Sequence, residues 1–222
     1  MECRTHEKRL EIVKNYSVTP FIRLALLNGQ TKKSDAGPML KDEYYVFLIK
    51  DKRNGSEDKR VCGDTVAEDF LKLIHHKPLE LFNPLKTCIL NDAASKNKSF
   101  NSNQKHIKID KTNWSALRLQ IYNAVMLLIS IKSIYKGPII EIKEEIEKGN
   151  LKYYEYIRKI KGINTILSKF SKEQQTLSEM ISVFKEKNNF KDKICEFDLI
   201  HAEIKKYNEQ HISDGKSIKD LF

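Results

Sequence analysis

The sequence predicts an α+β protein, in which a small strand-containing N-terminal region is followed by a C-terminal antiparallel helical bundle. Up to about position 110, short β-branched and aromatic runs are separated by turn residues. Beyond it, long stretches rich in lysine and glutamate carry apolar residues every three or four positions, as amphipathic helices do. Because the apolar period changes, we divide the chain into an α+β region at 1–90, a linker at 91–113 and a bundle at 114–222.

The first predicted elements are two strands. The runs 10–18 and 21–27 are apolar and short, and the second ends at an Asn-Gly pair that is typical of a turn. The polar stretch 30–38 contains serine, aspartate, glycine and proline, which favour loop conformations. We therefore expect two strands followed by a loop.

A β-hairpin and a helix complete the predicted N-terminal region. The YYVFLI run is the strongest strand signal, because its β-branched and aromatic side chains would fill both faces of a strand that is covered on two sides. An Asn-Gly turn after it predicts a hairpin over 44–62. A helix over 65–76 follows, with Asp64 or Thr65 as the side chain that caps its first turn.

The predicted helical half begins at Trp114. Apolar residues recur at helical spacing from Trp114 to Ile131 and are dense enough to predict a central core helix that is buried all round. Gly137 ends this helix, and Pro138 suits the first position of the next one, which runs to Gly149. Four or five helices are expected in total, packed antiparallel because their connections are short.

The charge of the chain predicts its class of partner. The sequence has 40 basic and 30 acidic residues, a formal net charge of +10, and 33 of the basic residues are lysines. Such a chain suits a DNA or RNA backbone or an acidic protein, and lysine contacts phosphate without the bidentate fork that recognises guanine. A/T-rich codon usage, which would raise lysine, asparagine and isoleucine together, is the alternative source of this charge.

Two basic segments supply the candidate contacts. The linker is flexible in composition and positive, and a later helix places tyrosines among basic residues, so that bases could stack while neighbouring side chains hold phosphates. The candidates are Lys96, Lys98, Lys105, Lys108 and Lys111 in the first segment, and Tyr153, Arg158 and Lys159 in the second. We therefore expect a non-enzymatic accessory protein that acts on nucleic acid or within a nucleic-acid-handling complex.

An enzyme is the first alternative. An apolar run followed by Glu141 and Lys143 resembles the Glu-x-Lys strand pattern of metal-dependent nucleases, with Asp110 as the second carboxylate for Mg²⁺. The same residues also fit a helix that begins at Pro138 and exposes Glu141 and Lys143. We favour the helix over 138–143, and therefore expect no metal or other cofactor. A helical protein-interaction scaffold, kept soluble by its charges, is the second alternative.

The cysteines and the apolar segments bear on location. Cys3, Cys62, Cys88 and Cys195 are far apart in sequence, which predicts free thiols in a reducing compartment. The N-terminus has no apolar signal segment, and the longest apolar stretch, 121–131, is too short to span a bilayer. These features predict a cytoplasmic protein without a membrane partner.

Overall fold

The computed structural model describes residues 2–27, 29–84, 111, 113–149, 151–170, 175–189 and 195–222. It confirms the α+β class, because an antiparallel sheet lies near the N-terminus and most of the seven described helices follow it. The described residues fall into two compact units. Unit 1 contains those up to Asn83, and unit 2 contains Pro84 and those from Lys111 onward.

Unit 1 combines one three-stranded sheet with two helices. Its elements are α1 (His6–Asn15), β1 (Tyr16–Ala25), β2 (Lys32–Lys33), β3 (Met39–Leu40), β4 (Glu43–Asp51), β5 (Glu57–Cys62) and α2 (Asp64–Leu73). The main sheet is antiparallel in the order β1-β4-β5, while β2 and β3 form a separate two-stranded sheet. Strands β4 and β5 pair from Tyr45 and Cys62 to Lys50 and Glu57. The predicted hairpin is therefore confirmed.

The predicted strand at 10–18 is wrong for most of its length. Helix α1 occupies that part of the chain up to Asn15, and the Thr5 side chain caps it by accepting a hydrogen bond from the Lys8 amide at 3.4 Å. The weak alternation of apolar and polar residues over 10–18 spans the end of this helix and the start of β1. It gives no sign of the helical face on which Ile12 is buried. The expected loop at 30–38 also contains the short strand β2.

Strand β4 is buried on both faces, as its composition predicts. On one face, Phe47 packs against Phe70 of α2 with ring centroids 5.2 Å apart, in an apolar cluster that includes Ile12 of α1. On the other face, Tyr44 and Val46 are also buried. This two-sided burial makes β4 the centre of the unit 1 core.

Unit 2 is helical and is organised around one buried helix. Its elements are α3 (Ala116–Lys132), α4 (Pro138–Lys148), α5 (Tyr153–Phe170), α6 (Leu177–Lys187), α7 (Asp198–Gln210) and a 3₁₀ turn (Ile212–Asp214). Every residue from Ile121 to Ile129 is buried, and α3 contacts each of α4, α5, α6 and α7. The predicted core helix and the predicted start of α4 at Pro138 are confirmed. The antiparallel order of the helices stays a prediction.

The structure revises the expected state of the cysteines. Cys3 and Cys62 are buried free thiols, but Cys195 is disulfide-bonded. The prediction that every cysteine is free is therefore wrong at Cys195. Within the described ranges, no helix is both long and apolar enough to cross a membrane.

Candidate nucleic-acid interface

The predicted basic linker lies almost entirely outside the described residues. That part of the prediction includes four lysines and the candidate metal ligand: Lys96, Lys98, Lys105, Lys108 and Asp110. Lys111 is described and is half-buried, with its ammonium group 4.6 Å from the centroid of the Tyr122 ring. This position over an aromatic face is a cation–π contact within unit 2.

A cationic and aromatic cluster fixes the start of α3. The Arg118 guanidinium lies 4.2 Å from the centroid of Trp114, and its Nε donates a hydrogen bond to the Ile146 carbonyl oxygen at 2.9 Å. Trp114 in turn meets Tyr122 edge-on, with ring centroids 5.3 Å apart. Burial lowers the pKa of Arg118. Because Arg118 of α3 is buried and donates to the end of α4, it holds α3 and α4 together and is not accessible to a ligand.

Helix α5 presents a regular exposed stripe, which we call the α5 face. Its members are Tyr154, Arg158, Lys161, Thr165 and Lys169. Their separations of four, three, four and four residues place them on one side of an α-helix, over a length of about 23 Å. Three of the five are basic and none is acidic. Tyr154 at one end is 64% exposed, so an aromatic ring stands in solvent beside the positive charges.

The predicted residues on α5 have different environments. Arg158 is 65% exposed and contacts Glu145 of α4 at 2.8 Å, whereas the Lys159 side chain is only 4% exposed and pairs with the same carboxylate. Burial lowers the pKa of Lys159. This geometry argues against a phosphate contact for Lys159, because its ammonium group faces the interior. Tyr153 is the first residue of α5, and its side chain lies outside what the structure describes.

Lys161 connects the α5 face to α7. Its ammonium group lies 4.0 Å from the centroid of the Tyr207 ring and donates to the Tyr207 hydroxyl at 2.7 Å. The Tyr207 and His211 rings stack at 4.0 Å with an interplanar angle of 16°. No local sequence pattern indicates the contact between Lys161 and Tyr207, because the two residues are 46 positions apart along the chain. It orients Lys161 while leaving that residue exposed.

The structure does not form the strand at 138–143 that the nuclease alternative requires. Residues 138–143 are helical, so Glu141 and Lys143 do not share one face of a strand as the nuclease pattern requires. Glu141 is exposed, but Lys143 is buried and its ammonium group contacts Glu147 at 2.7 Å. Burial lowers the pKa of Lys143. The expectation that Lys143 lies on the exposed face of this helix is therefore wrong. Successive residues of an α-helix are rotated by about one hundred degrees, so Glu141 and Lys143 lie on different sides of this helix.

Unit 1 contains a charged cluster that the sequence analysis missed. Arg23 of β1 donates from Nε to Glu43 of β4 at 3.2 Å, and its Nη2 lies 3.6 Å from Asp64 at the start of α2. Gly63, not Asp64 or Thr65, occupies the N-cap position, so the Asp64 carboxyl points to this cluster and makes no cap bond. Asp64 looked like a helix cap in the sequence, and nothing local revealed the strand neighbours.

The Asp64 and Glu43 carboxyls of this cluster lie beside each other and both contact Arg23. Burial first, and then the hydrogen bond shared with Glu43, raise the pKa of Asp64 to about 6. Burial also raises the pKa of Tyr45, whose ring lies beneath the Arg23 guanidinium, to about 12. The nearby Glu43 carboxylate favours the protonated form of Asp64, and the Arg23 guanidinium opposes this effect without cancelling it. The part of the chain that the structure describes has no group of three or more His, Cys, Asp or Glu side chains suited to a metal ion.

Comparisons with known proteins give no match. No protein-family model, no curated protein and no solved structure matches this chain. The chemistry of the described side chains is therefore what indicates a function for this protein.

Proposed function

We propose that this protein is a non-enzymatic accessory protein that binds the sugar-phosphate backbone of DNA or RNA through the α5 face. The observation that carries the proposal is the exposed stripe itself, in which three basic side chains and a tyrosine follow one side of a helix without an intervening acid. Basic side chains along such a stripe can neutralise successive phosphates, and an exposed aromatic ring can stack on an unpaired base.

The surrounding charges support this assignment. Arg158 is paired with Glu145, but both side chains are largely exposed, and ion pairs of that kind contribute only about 0–1 kcal/mol. A phosphate can therefore replace Glu145 at low cost. Lys161 is held by Tyr207 through its ammonium group, which reduces the side-chain entropy lost when a phosphate binds. Lysine and arginine contacts to phosphates imply affinity without strong sequence preference.

The cytoplasm is the location that we propose for this activity. The buried thiols Cys3 and Cys62 lie 4.0 Å apart and remain unbonded, which is the state expected in a reducing compartment. The disulfide at Cys195 is the opposing observation. Identifying the redox state of Cys195 in cells would decide between these two indications.

A charge-matched pair of variants tests the α5 face. The test variant is Arg158→Gln, Lys161→Gln and Lys169→Gln. The control variant is Lys33→Gln, Lys41→Gln and Lys72→Gln, which removes the same charge from exposed side chains of unit 1. Binding of labelled single-stranded and duplex DNA and RNA is measured by fluorescence anisotropy from low to physiological salt.

The α5 variant should bind at least about tenfold more weakly at low salt, and the slope of log K against log salt should fall by about 2 for a single strand. The control variant should keep most of the affinity and the slope of the natural protein. Equal losses in both variants would mean that net charge alone attracts nucleic acid. No salt-dependent binding by the natural protein would remove the proposal and leave the scaffold alternative.

A further inference from the structure

Two buried thiols in unit 1 are close together in space but distant in sequence. Cys3 precedes α1, and Cys62 is the last residue of β5, 59 positions later, yet their sulfur atoms are 4.0 Å apart. Both residues are fully buried. A disulfide requires sulfur atoms at about 2.0 Å, so an approach of about 2 Å would join them.

We propose that Cys3 and Cys62 are a redox-active pair that forms a reversible intramolecular disulfide, with a small-molecule disulfide of the glutathione class as the oxidant. In the first step the Cys3 thiolate attacks one sulfur of the oxidant, and one glutathione leaves with the proton that Cys3 released. In the second step the Cys62 sulfur, after losing its proton, attacks the mixed disulfide and releases the second glutathione. The two protein thiols are oxidised, and the oxidant is reduced to two thiols.

The environment of the two sulfurs distinguishes their roles. The hydrogen bond from the Cys62 thiol lowers the pKa of Cys3, while that bond and burial raise the pKa of Cys62. The thiolate is the attacking species in thiol–disulfide exchange, so Cys3 is the sulfur that reacts first. Cys62 then acts as the resolving thiol, which is already in place beside it.

The route to Cys3 is the short segment that precedes α1. Within residues 2–5 only Cys3 is buried, and Arg9 holds the segment by donating to the carbonyl oxygens of Cys3 at 2.8 Å and Arg4 at 2.9 Å. Arg9 is itself held by Asp69 of α2. Residues 2–5 belong to no strand and are held by side-chain contacts such as those of Arg9 and the exposed Glu2–Lys8 pair, so local opening of this segment admits the oxidant without unfolding the sheet.

The consequence of oxidation is a covalent tie between the N-terminal segment and the end of β5. It closes a long loop across most of unit 1, which restricts the unfolded chain more than the folded one. The melting temperature of unit 1 should rise by roughly 10 °C on oxidation. This inference does not depend on nucleic-acid binding.

Peptide mapping of the full chain tests the pair. The protein is equilibrated with an excess of glutathione disulfide over glutathione, quenched in denaturant with an alkylating reagent and digested with trypsin without reduction. Cys3 and Cys62 fall in different tryptic peptides, 1–4 and 61–72, and neither contains Cys88 or Cys195. A cross-linked product of 1–4 with 61–72 should appear, alkylation of both cysteines should fall together, and dithiothreitol should restore it.

Three outcomes would overturn the proposal. They are full alkylation of both cysteines, separate glutathione adducts without a cross-link, and cross-linking of Cys3 mainly to another cysteine. The Cys62→Ser variant should leave Cys3 free or singly glutathionylated under the same conditions. In the folded protein, Arg9→Lys should accelerate alkylation of Cys3 by about tenfold, whereas Lys8→Gln, which removes only an exposed pair with Glu2, should not. Equal rates would exclude opening of this segment as the route.

Discussion

Truncation of Leu128 measures how far unit 2 depends on α3. Leu128 is fully buried in the middle of this helix, where neighbouring side chains surround it on all sides. Leu128→Ala removes three carbon atoms, which at about 0.8 kcal/mol per buried carbon group costs about 2.4 kcal/mol in transfer free energy alone. The cavity that remains adds to this loss, so we expect a total of about 3–5 kcal/mol.

The single tryptophan makes this measurement specific to unit 2. Trp114 packs against Tyr122 and Arg118 in that unit, and its fluorescence in a urea titration therefore reports the unfolding of the helices around α3. Ile212→Ala is the control, because Ile212 is 75% exposed and its loss should cost less than about 0.5 kcal/mol. A loss below about 1 kcal/mol for Leu128→Ala would refute the central position of α3.

Two further predictions concern charged side chains, one at the exposed start of α2 and one buried in unit 2. The raised pKa of Asp64, about 6, means that the folded state binds this proton more tightly than the unfolded state does. The Asp64 carboxyl therefore contributes stability that is present at pH 4 and is lost as the pH rises through 6. The change in unfolding free energy caused by Asp64→Asn should therefore be more favourable at pH 8 than at pH 4, by about 1 kcal/mol after allowance for the exposure of Asp64. Equal effects of the substitution at both pH values in urea titrations would contradict this. Lys143→Ala leaves Glu147 without its partner and should cost about 2–3 kcal/mol, whereas Lys148→Ala removes an exposed pair of the same spacing and should cost at most about 0.5 kcal/mol. Similar costs in thermal or urea unfolding would show that burial of Lys143 does not matter.

The sequence predicted those elements whose signal is local. The density of apolar residues in α3, the Pro138 start of α4 and the Asn-Gly turn between β4 and β5 each record a local requirement of the backbone or of burial. Helix α1 was missed because its exposed Leu10 obscured its apolar face and because its cap, Thr5, comes without an acidic capping-box partner three residues later.

The candidate site was less predictable because it depends on long-range geometry. Arg158 and Lys159 are adjacent in the sequence, but a rotation of one hundred degrees per residue exposes one and buries the other. Lys143 likewise has the composition of a surface residue and becomes internal through its pair with Glu147. The partners of Asp64 come from β1 and β4, so no sequence window contains that cluster.

Chemical footprinting of lysines tests the central claim most directly. The protein is reductively methylated with and without a saturating single-stranded oligonucleotide, and the modification of each lysine is quantified by mass spectrometry. The α5 face predicts that Lys161 and Lys169 become protected by several-fold, while Lys33 and Lys41 in unit 1 stay equally reactive. Protection of Lys33 and Lys41 with no change at Lys161 and Lys169 would contradict the account and place the nucleic-acid contact elsewhere.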